Sequence, residues 1–299
     1  MSPDNWRVLE TGDGTPTLAH PGHGEACHSR VGAWREARER YVCGCRVPEG
    51  LACAGERPFA VLDVGTGPGM NLAALAACIA SVPGARPVHV TTLESDPTVL
   101  DAARRLVADP PPADIGEEAG EARRWLAVVV EALERARAAA GEPVALGPGA
   151  RLTLLLGDAR ETLPARSESY DAEFLDPFSP AVDGALWEPE FLRAIAQRMQ
   201  PGSWLSTYSA ASRVRTRLAA CGLRVGAGAA LGSKAEGTLA SPDCAPPPLA
   251  LRRRRRLARR VPALCRELGW PIPPWFGAGS GGFPSDVELE SGRSTSKSR

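Results

Sequence analysis

The sequence begins without the apolar core of a leader, and nowhere does it hold an apolar run long enough to span a bilayer. These absences exclude a membrane partner and point to a cytoplasmic protein. Net charge is also missing: 35 Lys and Arg balance 35 Asp and Glu over 299 residues, so no global field draws the chain to a polyanion. Paired C-x-x-C spacing, the usual signature of a structural zinc site, does not occur. The eight cysteines are Cys27, Cys43, Cys45, Cys53, Cys78, Cys221, Cys244 and Cys265. They read as reduced thiols; Cys43, Cys45 and Cys53 with a histidine form only a weak metal candidate, and no metal is assigned. No internal repeat is visible. From Gly277 onward the chain is Gly, Ser and charge, too poor in apolar area to offset ordering entropy, and residues 277–299 read as a disordered tail.

What is present falls into four parts. Residues 1–58 form an N-terminal extension with turn-rich stretches at Thr11–Gly14 and His20–Gly24, a predicted helix over Glu25–Val42 that caps the site, and a loop over Pro48–Pro58. From Phe59 strands and helices alternate. Strands are predicted at Phe59–Val64, Val88–Leu93, Leu152–Leu156, Asp171–Leu175, Ser203–Tyr208, Leu223–Val225 and Gly237–Ala240. Helices fall at Gly69–Ala80, from Asp96-Pro97 to Ala108, and at Glu117–Ala140, Pro189–Met199 and Ala210–Cys221. This rhythm implies an α/β fold with a seven-stranded, mostly parallel sheet and helices on both faces. The domain is 59–245, with an insertion at about 110–145 opened by Pro110-Pro111-Pro112; a basic C-terminal helix occupies 246–276. Ligands of such folds bind at the carboxyl ends of the strands.

Three of those ends carry suitable groups. Gly65, Gly67 and Gly69 follow the first strand and open a helix, with Asp63 just before them. A dinucleotide fingerprint wants glycine at 70, which is Met70, and this argues against a nicotinamide dehydrogenase. The G-x-G-x-G spacing resembles the S-adenosyl-L-methionine (SAM) loop of Rossmann-like class I methyltransferases. Glu94 closes the second strand, where an acid can accept from ribose hydroxyls, and Asp158 ends the third, where it can accept from the adenine amino group. Each signal is weak alone, since glycines after strands are common turns and acids are usually solvated. In order on successive strands they indicate a SAM site.

The fourth strand ends at Asp176-Pro177-Phe178. A carboxylate there can orient an amine and accept its proton, and the Phe178 ring can stack on the substrate or face developing positive charge. Taken alone, Asp-Pro is ordinary turn chemistry.

The run Phe174–Pro180, then Leu186-Trp187, Glu190-Phe191-Leu192, Pro201-Gly202, Thr207–Ala211 and Val214-Arg215, resembles the methyltransferase domain of the MnmC family. The resemblance covers most of 11–241, reaching back to Asp13–Leu18, Glu25 and His28-Ser29 and on through Gly232-Ser233-Lys234 and Gly237–Ala240. It implies methylation of the 5-aminomethyl group of a wobble (2-thio)uridine in tRNA. By position it implies that Gly65, Gly67 and Gly69 hold the methionine moiety of SAM, Glu94 the ribose and Asp158 the adenine. Asp176 would be the acid at the reacting amine, Glu25 and His28 would close the site over the cofactor, and Lys234 would lie near the substrate. Bifunctional members carry a fused FAD-dependent oxidase that does not fit in this length, so a stand-alone methyltransferase with a separate oxidase partner is implied. Pro177 departs from the small residue frequent in the family. A small-molecule amine methyltransferase and a non-catalytic RNA-binding protein on the same fold are the alternatives.

A tRNA enzyme needs phosphate contacts. Arg213, Arg215 and Arg217 on the helix after the fifth strand, and Arg252–Arg256 with Arg259 and Arg260, supply candidates, and Trp187 or Trp204 can stack an unpaired base.

Overall fold

The computed structural model describes residues 5–108, 115–231 and 236–276. Pro110–Pro112, Lys234 and the tail 277–299 lie outside the described residues.

The N-terminal segment forms a hairpin of β1 (Arg7–Glu10) and β2 (Pro16–Ala19). The predicted Glu25–Val42 helix is shorter than expected. Ala26 bridges Ala19, and Cys27 donates to the Leu18 carbonyl at 2.8 Å, so residues 25–28 extend β2's edge rather than coil. Helix α1 (Ala33–Glu36) begins after Gly32, where the Asp13 carboxylate accepts from Arg35 N at 3.0 Å. It runs on as a π-helical turn, Ala37–Val42. The predicted Pro48–Pro58 loop also needs correction: α2 (Val47–Ala52) carries proline in its first turn, where the lost N–H costs nothing.

The alternating part follows as β3 (Phe59–Val64), α3 (Met70–Ser81), β4 (Val88–Glu94), α4 (Pro97–Ala108), α5 (Glu117–Ala138), β5 (Val144–Gly147), β6 (Ala150–Leu156), α6 (Ala159–Thr162), β7 (Tyr170–Leu175), α7 (Pro189–Ala196), β8 (Met199–Thr207), α8 (Ser212–Ala220), β9 (Arg224–Ala227), β10 (Thr238–Ser241) and α9 (Leu251–Leu268). The main sheet has the order β5-β6-β4-β3-β7-β8-β10-β9, eight strands among the described residues rather than the predicted seven. The additional strand, β5, folds back on β6 through Pro148-Gly149, with Gly149 at φ +71°. The five central strands are parallel; β5, β10 and β9 pair antiparallel at the edges. Side chains alternate across β3. Val61 joins a core with Trp34, Tyr41, Met70, Leu126 and Phe174, while Leu62 and Val64 join one with Trp187, Leu192, Leu205 and Val261. Apolar burial on both faces fixes the register, so the carboxyl ends of β3, β4, β6, β7 and β8 converge on one edge. No helix of the described residues is long and apolar enough to cross a membrane.

Candidate active site

A cavity of about 1060 Å³ opens at that edge. Its wall includes Gly65, Thr66 and Gly67 after β3, Glu94 at the end of β4, Asp158 after β6, and Asp176, Pro177 and Phe178 after β7. The N-terminal segment closes it with Glu25, Cys27, His28, Glu36 and Arg40.

The glycine loop is shaped by crowding. Gly65 sits at φ +90°, and a Cβ there would lie 2.7 Å from the Asp176 carbonyl oxygen. Only glycine lets the β3 and β7 loops approach this closely. Beneath the loop Thr92 Oγ1 donates to Asp63 Oδ2 at 2.7 Å, which spends its one hydrogen, so Thr66 donates to Thr92 at 2.6 Å. Asp63 is fully buried, and burial pushes its carboxyl up to about 7. Asp63 and Gly69 stand outside the cavity wall. Expected as cofactor contacts, they instead support the loop, Gly69 at the start of α3 against Val129 on α5.

Glu94 Oε2 accepts from Gly67 N, and Oε1 from Ser95 N and Asp96 N, all at 2.9 Å. Its carboxyl is pushed up to about 7 by burial, against the pull of those backbone donors. Asp158 lines the cavity, but it caps α6 by accepting from Arg160 N at 2.8 Å and pairs with the Arg160 guanidinium at 2.5 Å. That cation holds its carboxyl below the usual carboxylate range.

Asp176 is the centre of the β7 end. The Tyr41 hydroxyl donates to Oδ1 at 2.5 Å and Asn71 Nδ2 donates to Oδ2 at 2.8 Å. Enclosure raises its carboxyl well above the usual range, with the Glu36 charge acting the same way and the two donors opposing. The loop beyond is pinned residue by residue. The Pro177 carbonyl accepts from Tyr208 at 3.0 Å and that of Phe178 from Trp187 Nε1 at 2.8 Å; Ser179 donates to Glu25 through N at 3.1 Å and Oγ at 2.6 Å. Glu25 thus ties the N-terminal segment to the reacting loop. The Phe178 ring lies edge-on to His23 and His20, which stack at 3.8 Å. His28 is buried and bonds Thr17 Oγ1 at 2.9 Å; burial lowers it to about 4, so it is neutral at pH 7.

Sequence reasoning missed Tyr41, Asn71, Tyr208 and a buried ion pair, Glu36–Arg40 at 3.1 Å, whose side chains are 8% and 5% exposed. The i,i+4 spacing of that pair was visible, but nothing in the sequence marked it as buried.

The RNA candidates separate. Arg213 is exposed on α8. Arg215 is 2% exposed and donates to Thr238 Oγ1 at 2.9 Å and the Gly237 carbonyl at 2.8 Å. Its expected RNA role is therefore corrected: it fastens α8 to β10. Arg217 pairs with Glu188, and Trp187 and Trp204 are buried and unable to stack a base. Cys45 is buried and donates to the Glu173 carbonyl while Cys43 and Cys53 are exposed; the described residues contain no metal-binding cluster.

A Rossmann-like sheet with a glycine turn after its first parallel strand, an acid closing the second and a carboxylate after the fourth defines a SAM-dependent methyltransferase. Residues 125–243 match the family model described as S-adenosyl-L-methionine-dependent methyltransferase. More narrowly, the chain belongs to the MnmC family, through its methyltransferase domain. It is 33% identical over 254 residues, 81% of this chain and 39% of the relative, to the tRNA 5-methylaminomethyl-2-thiouridine biosynthesis bifunctional protein MnmC of Caulobacter sp. (strain K31). It is 35% identical over 237 residues, 79% of this chain and 37% of the relative, to the protein of that name from Caulobacter vibrioides. The crystal structure of MNMC2 from Aquifex aeolicus matches with a TM-score of 0.67 and 31% identity, covering 84% of this chain and 75% of that one. The chain spans well under half the length of the curated relatives it matches.

The cofactor is S-adenosyl-L-methionine, and the residues present fit it. Gly65 and Gly67 bring bare backbone to the cavity wall, and Glu94 Oε2 carries one hydrogen bond, leaving acceptor capacity for a ribose hydroxyl.

Proposed function

We propose that this chain is an N-methyltransferase acting in the cytoplasm on the 5-aminomethyl group of wobble (2-thio)uridine in tRNA, an amine that an oxidase generates. The relatives' role in tRNA 5-methylaminomethyl-2-thiouridine biosynthesis supports this substrate. The observation that carries the chemistry is Asp176, held through both oxygens at the end of β7 and facing the cavity.

The Gly65–Gly67 backbone and Glu94 would hold the cofactor, which supplies an electrophilic methyl group. An aminomethyl group is largely an ammonium ion at neutral pH and reacts only once it has lost a proton. Asp176, whose proton affinity enclosure raises, can take up that proton in its ionised form. Tyr41 and Asn71 fix both of its oxygens, so the lone pair that meets the substrate is set before binding and needs no reorganisation. The Pro177 carbonyl has a second lone pair free to orient an N–H. The Phe178 ring face offers a negative surface toward positive charge.

The test is incubation of the protein with labelled SAM and tRNA carrying the aminomethyl precursor, followed by nucleoside analysis. The expected product is labelled 5-methylaminomethyl-uridine, with none from the Asp176→Ala protein, which still binds SAM. Unlabelled tRNA, or full turnover by Asp176→Ala, overturns the proposal.

A further inference from the structure

Arginine is not spread evenly over the surface. Helix α9 holds eight arginines and a single acid, Glu267. Its buried residues are Leu257, Val261 and Cys265, spaced by four and packed onto the body that contains α8. At 100° per residue, the face opposite that apolar stripe carries Arg252, Arg255, Arg256, Arg259 and Arg260. Arg252, Arg259 and Arg260 are exposed and have no ion pair or hydrogen bond among the described residues. The helix is tied to elements beside the cavity. Arg256 Nη1 donates to Ser212 Oγ at 3.1 Å, and Ser212 opens α8 two residues after Ala210, which lines the cavity. Arg253 pairs with Glu236, which also lies near Arg215. The amino-terminal half of α9 is thus fastened beside the active-site rim.

We propose that the Arg252–Arg259–Arg260 face of α9 docks the phosphate backbone of the RNA whose modified base enters the cavity. This rests on the tRNA reading above. Unpaired guanidiniums fit a phosphate ladder, since each can bond two oxygens. Arg252 and Arg260 are separated by about 12 Å along the axis, enough to follow several phosphates rather than one small anion. An anionic membrane is the lesser fit, because the apolar stripe of α9 faces the protein core and cannot insert. A docking face beside the rim would hold the RNA while leaving the chemistry to Asp176.

The experiment uses the full chain and its Arg252→Gln/Arg259→Gln/Arg260→Gln variant, with binding read by anisotropy of fluorescent tRNA and turnover read on precursor tRNA. Glutamine keeps helix propensity, and circular dichroism checks the fold. The expected result is tRNA binding weakened by about tenfold or more. The slope of log affinity against log salt becomes shallower by about two, corresponding to three lost phosphate contacts. SAM affinity and kcat at saturating tRNA stay unchanged, and a triple lysine variant recovers most of the affinity. Unaltered tRNA affinity and salt slope overturn the proposal, as does binding of wild type to phosphatidylserine vesicles with no arginine-dependent tRNA binding. Anisotropy needs no turnover, so wild type that binds tRNA through this face but methylates no precursor would refute the proposed activity and leave the docking face standing.

Discussion

The Tyr41 hydroxyl donates to Asp176 Oδ1 at 2.5 Å, joining residues 135 positions apart. This bond crosses from the N-terminal segment to the end of β7, and it lowers a carboxyl that enclosure otherwise raises. Tyr41→Phe removes the donor and keeps the ring against Phe174. Turnover should fall by about tenfold to a hundredfold, the worth of a hydrogen bond to a charged group. Losing the donor raises the Asp176 carboxyl further, so the acid limb of the pH–rate profile should move to higher pH. A rate loss with an unmoved limb would show that Tyr41 acts only through packing.

Gly65→Ala places a methyl group 2.7 Å from the Asp176 carbonyl oxygen at a φ of +90°. The two loops must then separate. Destabilisation of about 1–3 kcal/mol is expected from the backbone conformation alone, together with weaker SAM binding by calorimetry. An unchanged Tm and Kd would contradict the close approach of β3 and β7.

Burial pushes the Glu94 carboxyl up to about 7. Its ionised form is the better acceptor for ribose hydroxyls, so SAM affinity should fall as pH drops from 8 to 6. The Glu94→Gln protein should bind more weakly at pH 8 and lose most of that pH dependence. Calorimetry at three pH values decides it, and an equal slope in both proteins would remove Glu94 from the cofactor site.

Glu173 lies in the middle of β7, 1% exposed, with neither carboxylate oxygen hydrogen-bonded among the described residues. Burial raises its carboxyl well above the usual range, opposed by Arg198. A raised folded-state value means that the folded chain keeps a proton the unfolded chain releases. Its stability contribution therefore declines as pH rises above the ordinary glutamate value of about 4.3. Its neighbours in register are Leu62 and Leu205. Glu173→Leu should raise Tm, and the gain over wild type should grow between pH 5 and pH 8. A gain independent of pH would place the effect in packing alone.

The central strands and the groups at their ends were legible because each rests on local signals: β-branched runs, glycines at a turn, an acid where a strand stops. Asp176, Glu94 and Gly65 are read this way, and all three line the cavity. Asp63 and Arg215 were misread for a common reason. A charged side chain is usually exposed, and their burial depends on Thr92 and Thr238, which are placed by the sheet and not by sequence neighbours. Residues 25–32 have helical spacing, yet pairing with β2 holds the part around Ala26 and Cys27 extended. Tyr41 and Asn71 left no trace, since a tyrosine and an asparagine on helices are unremarkable until the fold brings them to Asp176.

The tie between Arg40 and the Ala229 carbonyl spans 189 residues, and Ser206 Oγ donates to the Arg40 carbonyl across 166. During synthesis the first segment therefore leaves the ribosome long before its partners exist. At ordinary elongation rates the interval from residue 40 to residue 229 is roughly ten to forty seconds. The Arg40 ties therefore form late, and a nascent chain stalled before β8 holds the glycine loop and the Asp176 loop but lacks the Tyr208 and Ala210 side of the chamber.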